Sequence, residues 1–143
     1  MNNWLIVLQW VAAIGMAIVF YKSSIQKLQN AYGFYRIISE DYKLISKEKA
    51  TFFSPLLAAF EFIVVIWLLT PWMQVWGFIM VACLQVLFLS VLIPRKGDVM
   101  KYGCGCFDLN TPREITNRDI VRNSMIFCAA AVLGCMNLFG IGY

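Results

Sequence analysis

Cys104 and Cys106 stand on either side of Gly105 in the stretch KYGCGCFDLN, Lys101 to Asn110, a polar loop in an otherwise oily chain. Two thiols in such a setting suit three descriptions: a redox couple, a metal clip, or cysteines without chemistry. The thiolate is the nucleophilic form of cysteine, and Arg95, Lys96, Lys101 and Arg122 in the same stretch of chain favour it. Gly103 and Gly105 let the backbone bend tightly. That bend is needed, because a disulfide wants Cα atoms about 4.4–6.8 Å apart. A ring closed over a single intervening residue is strained and easily reduced, which suits exchange better than stapling. Two sulfurs without histidine fall short of the four ligands a structural zinc site takes. The reading adopted is thiol–disulfide exchange, with Cys104 and Cys106 as the reacting pair and no metal.

The composition says where such a loop must sit. Of 143 residues, 61% are hydrophobic and 14% are charged, against about 25% charged in a soluble domain. The chain therefore reads as a single integral membrane domain whose main partner is the lipid bilayer. Histidine is absent, which excludes Ser-His-Asp and Cys-His catalysis and His-ligated metals. All twelve Lys and Arg residues fall between Lys22 and Arg122. That distribution is a topological signal, not a nucleic-acid footprint. The start, MNNWLIVLQW, has no basic n-region, so a cleaved signal peptide is not expected.

A membrane-spanning helix takes about 20 apolar residues. Four segments qualify, at about residues 4–21, 52–69, 76–93 and 120–141. Ser54 and Pro55 fit the start of the second, Pro94 ends the third, and Thr116 with Asp119 has capping-box spacing ahead of the fourth. The predicted fold is all-α, a bundle of four transmembrane helices. The segment joining the first two spans has apolar residues at roughly helical spacing among charges, among them Ile25, Leu28, Phe34, Ile37 and Ile38. It reads as an amphipathic helix at the interface, or as an extension of the first span that bends at Gly33. The two long loops share one side of the membrane and carry the basic residues. The positive-inside rule places them in the cytoplasm and both termini outside. Trp4, Trp72 and Tyr143 would anchor the outer interface.

Glu61 lies inside the second span, where an ionisable group is a functional hypothesis by default. Its alternative is an ion pair with Lys22, Lys27 or Arg122. Topology puts Lys27, Glu61, Arg122 and the two loop cysteines in the same half of the membrane. Cys83, Cys128 and Cys135 lie within spans, and packing as small hydrophobes is the default for each. Cys83 and Cys128 occupy comparable depths on different helices, so they form a second redox station if the bundle brings them together.

Lys27-Leu28, Pro55, Glu61, Phe88, the Cys-Gly-Cys-Phe run ending at Phe107, and Arg122-Asn123 together resemble the MauE (methylamine-utilisation) branch of the DoxX-like membrane proteins. The resemblance covers nearly the whole chain. It implies a four-helix protein of the bacterial cytoplasmic membrane, working with a thioredoxin-like partner in disulfide maturation of an exported, cysteine-containing client. Lys27, Glu61, Arg122 and Asn123 would then be the network supporting the cysteine loop. With the loop in the cytoplasm, a thioredoxin supplies electrons. Were the loop external, a quinone held in the aromatic-rich bundle becomes the acceptor. Two other classes of function compete: a non-enzymatic membrane subunit or immunity-type protein for an export or toxin system, and a small transporter using Glu61.

Overall fold

A computed structural model describes residues 3–41, 43, 46–100 and 113–140. Helix α1 (Asn3–Gln29) is followed by a short α2 (Ala31–Arg36) and a π-helical turn, Ile37–Asp41. Then come α3 (Lys47–Leu69), α4 (Gln74–Leu92), a 3₁₀ turn at Ile93–Arg95, the strands β1 (Val99–Met100) and β2 (Arg113–Glu114), and α5 (Asn117–Leu138). Four of these helices are long and apolar enough to cross a membrane, as expected.

The four long helices form two antiparallel pairs, α1 against α3 and α4 against α5. The α3–α4 hairpin joins the pairs, while α1 and α5 meet only slightly. The core of this bundle alternates small and large side chains on α1 (Ala13, Met16, Ala17, Phe20) and is branched on α3 (Val64, Val65, Leu68), with Phe78, Val81 and Leu84 from α4 and Ala130 from α5. Only 22–33% of the membrane-length windows is buried, so most of their apolar surface points outward. In water such a surface would cost about 25 cal/mol for each Å² left exposed. In a bilayer that cost disappears, and the pattern is that of a multi-pass membrane protein. At Gly77, α4 comes so close to α3 that a Cβ would lie 2.9 Å from the Leu68 nitrogen. Small residues at such crossings are what let membrane helices pack without a hydrophobic drive.

The first two spans differ most from expectation. The first span runs on to Gln29, and the break falls at Asn30 (φ −125°, ψ 51°) instead of at Gly33, which is buried within α2. The second span starts at Lys47, not Phe52, with Ser46 in extended conformation ahead of it and Glu48 in the first turn. Pro55 is therefore interior and denies a partner to the Thr51 carbonyl one turn back. The tolerance is physical: in a membrane bundle, neighbouring groups and local adjustment make up for the lost bond. The segment after α1 does not lie free on headgroups either. Phe34 and Ile38 are buried against Ala50, with Tyr35 and Leu57 alongside, so its apolar face is covered by α3. At the start of α5 the expected capping box is present, with Thr116 N–H donating to Asp119 Oδ2 at 3.1 Å.

Candidate functional site

Lys27 ends α1 and Glu61 lies in α3, and the antiparallel packing points them at each other. In a helix each side chain leans toward its own N-terminus. Lys27 therefore leans inward from the loop end, and Glu61 leans outward toward it. Lys27 Nζ donates to Glu61 Oε1 at 2.5 Å, with side-chain exposures of 1% and 0%. The ammonium also sits 4.9 Å from the ring centre of Phe34 and 5.0 Å from that of Phe88. One cation thus touches side chains from α2, α3 and α4. The aromatic faces offset part of the ammonium's desolvation, each by about 0.5–2 kcal/mol. A turn from Lys27, Ser24 Oγ donates to the Ala58 carbonyl at 2.8 Å and locks the same two helices together.

Arg122 and Asn123, expected in the same network, form a second one around Asp119. Arg122 Nη2 donates to Asp119 Oδ1 at 3.2 Å, and Asn123 Nδ2 donates to the Asp119 carbonyl at 2.8 Å. Asp119 is 1% exposed and also accepts from Thr116 Oγ1 at 3.2 Å. Spacing alone marks Asp119 only as a helix cap. Its burial under a basic partner makes it the fixed end of the chain returning from the cysteine loop.

Cys104 and Cys106 lie outside the described residues. The chain on either side of them is described: Val99 pairs with Glu114 and Met100 with Arg113, antiparallel. Gly97, at φ +88°, turns the chain into this ribbon, and its N–H donates to the Ile115 carbonyl at 2.9 Å. Ile115 is fully buried, so the base of the loop is seated on the bundle end by a packed side chain as well as by backbone bonds.

Cys83, Cys128 and Cys135 are free thiols on exposed faces. This corrects the expectation that they pack inside, and the structure does not join Cys83 to Cys128. Small side chains pack as well against lipid as against protein, so hydrophobicity alone does not choose the face. Among the described residues, no group of three or more His, Cys, Asp or Glu side chains is placed to hold a metal.

At the other end of the bundle lies a site the sequence reading missed. Gln9 Nε2 on α1 donates to Gln74 Oε1 on α4 at 2.7 Å and to Asn137 Oδ1 on α5 at 2.9 Å. Gln74 Nε2 donates to the Leu68 carbonyl at 3.3 Å and Asn137 Nδ2 to the Leu133 carbonyl at 2.8 Å. The signal was available: an amide inside an apolar span faces the bundle interior for the reason a charge does.

No curated protein and no solved structure matches the chain. The family model described as "Methylamine utilisation protein MauE" matches residues 5–136. Four membrane-length helices and this match over most of the chain agree: the protein belongs to the MauE family.

Proposed function

We propose that this chain is a membrane thiol–disulfide oxidoreductase that exchanges disulfides through Cys104 and Cys106, with a thioredoxin-like protein as partner and an exported cysteine-containing protein as client. The observation that carries this reading is the Cys-Gly-Cys run itself, two thiols one residue apart in a chain of the MauE family. In the exchange, one thiolate of the pair attacks a sulfur of the partner's disulfide. A mixed disulfide forms, and the displaced sulfur takes up a proton. The second cysteine then attacks the first, closing Cys104–Cys106 and releasing the partner as a dithiol. Two electrons and two protons pass to the protein that brought the disulfide, and the steps run in reverse when a dithiol, such as a reduced thioredoxin-like partner, meets the oxidised pair.

Lys27 and Glu61, buried in the loop-side half of the bundle, support this reading, as do Asp119, Arg122 and Asn123 at the start of α5. The second station at Cys83 and Cys128 is not retained, because both are free thiols on outward faces. The location that fits is the bacterial cytoplasmic membrane. The positive-inside distribution of basic residues supports a cytoplasmic loop with external termini, which has the pair meet its client before export.

The test replaces Cys104 and Cys106 with serine, singly and together, and follows partner and client thiols by alkylation trapping in cells. The double variant should leave the client's disulfide status as in cells lacking the protein. One single variant should accumulate a mixed disulfide with the partner. Unchanged client disulfides, with normal assembly of the double variant, would replace this reading by that of a non-enzymatic membrane subunit. Membrane-impermeant maleimide, applied before and after opening the cells, checks the orientation.

A further inference from the structure

Four buried oxygens in the loop-side half of the bundle have no hydrogen-bond partner among the described residues: Ser54 Oγ, Glu61 Oε2, Gln85 Oε1 and Asn123 Oδ1. Their residues are 2%, 0%, 2% and 1% exposed and come from α3, α4 and α5. An unpartnered buried polar oxygen costs about 1–3 kcal/mol, so four in one half of a small bundle call for a donor.

The helix register brings them to neighbouring levels. Gly77 of α4 abuts Leu68 of α3. Counting along the two antiparallel helices from that crossing sets Gln85 opposite Glu61. Gly134 of α5 abuts Phe78 of α4, and the same count sets Asn123 beside Phe88, the ring that faces Lys27. Ser54 lies on α3 about 10 Å nearer the loop than Glu61, at 1.5 Å per residue. The oxygens thus form two tiers, Ser54 with Asn123 above and Glu61 with Gln85 below. Lys27 Nζ is bonded to Glu61 between these helices. Beneath the lower tier the interior turns apolar, with Val64, Val65, Leu68, Phe78 and Val81 all buried. The Gln9–Gln74–Asn137 cluster beyond that layer bonds to itself.

We propose that these four oxygens hold a short file of internal water molecules that enters from the loop face, ends at Glu61, and is sealed from the opposite face by the apolar layer. The ligand must be a donor, since the orphaned carboxylate and amide oxygens only accept. It must also be neutral, because the Lys27 ammonium would repel a cation. It must be small, since the donor has to reach oxygens on three packed helices. Water meets all three conditions, and internal waters take two to four such partners each. The Lys27–Glu61 pair is then in contact with solvent from one side of the membrane only.

Radiolytic hydroxyl labelling of the unmodified protein in lipid nanodiscs tests this, since radicals made at bound water mark adjacent side chains. Phe88 should be labelled and Phe78, fully buried in the apolar layer, should not. In the Gln85→Leu/Asn123→Leu variant, Phe88 labelling should fall to the Phe78 level. Equal, negligible labelling of the two rings in the unmodified protein would overturn the proposal. A second arm uses Gln85→Cys and Val81→Cys in a chain without other cysteines, probed with silver ion added to either side. Reaction at Gln85→Cys from the loop side alone is expected. Inertness equal to that of Val81→Cys, or reaction from the opposite side, would sink the proposal even if the leucine variant does not fold.

Discussion

The bundle contains two polar clusters, and they solve burial differently. At the loop end, Lys27 and Glu61 form one charged contact, with Glu61 Oε2 left over. At the other end, Gln9, Gln74 and Asn137 share neutral bonds among three helices, and both ends of the Gln74 and Asn137 amides are used. The two lie about 27 Å apart along α1 by the helix rise. A charged pair is costly in a low dielectric and is weak evidence for stability in itself. A satisfied amide cluster is a plain fastener, and it hydrogen-bonds α1 to the α4–α5 pair. The charged cluster, in the loop-side half of the bundle, is the one that leaves acceptors open.

The sharpest way to break this contrast is to remove one charge. Lys27→Met should destabilise the protein by about 3–5 kcal/mol, because it strands a buried carboxylate. Lys27→Met combined with Glu61→Leu should recover much of that loss. Denaturant titration of the detergent-solubilised protein would decide it, and a double variant no better than the single would show that the pair is not the unit. Gly77→Ala comes next, at about 1–3 kcal/mol, since its Cβ has to push Leu68 backbone aside. That loss should appear in the same titration without altering thiol exchange.

Gln9→Leu should cost about 1–2 kcal/mol by leaving two buried acceptors without a donor. It should leave client disulfides unchanged, whereas Lys27→Met should disturb them, as alkylation trapping would report. An equal effect of the two variants on exchange would erase the distinction between the clusters. The smallest effect belongs to Cys83→Ser with Cys128→Ser, within about 0.5 kcal/mol of the parent because both thiols face outward. A loss of exchange in that variant would restore a role for these cysteines.

Much of this was legible in the residues. Four runs of apolar residues could only be spans, and Glu61 in the second required a partner, as Lys27 proved to be. Thr116 and Asp119 announced the start of α5 through local bonds that need no tertiary context. Chain-local signals mislead where they compete with packing. Pro55 marks a helix start in water, yet here it lies inside α3, which begins eight residues earlier. Phe34 and Ile38 looked like an interfacial face, and α3 covers them instead. Soluble proteins bury small hydrophobes, which would turn the span cysteines inward, whereas lipid removes that preference.

The sequence by itself determined the membrane class, the number of spans, the side on which charge collects and the pair of thiols beside Gly105. Hydropathy and charge act residue by residue, whatever the helices later touch. The tertiary structure decided which polar residues meet: Lys27 with Glu61, Arg122 with Asp119, Gln9 with Gln74 and Asn137. A span's sequence states that a polar group must find a partner in a medium without water. Only the rotation and register of packed helices choose the partner, and they leave four oxygens in the loop-side half with none among the described residues.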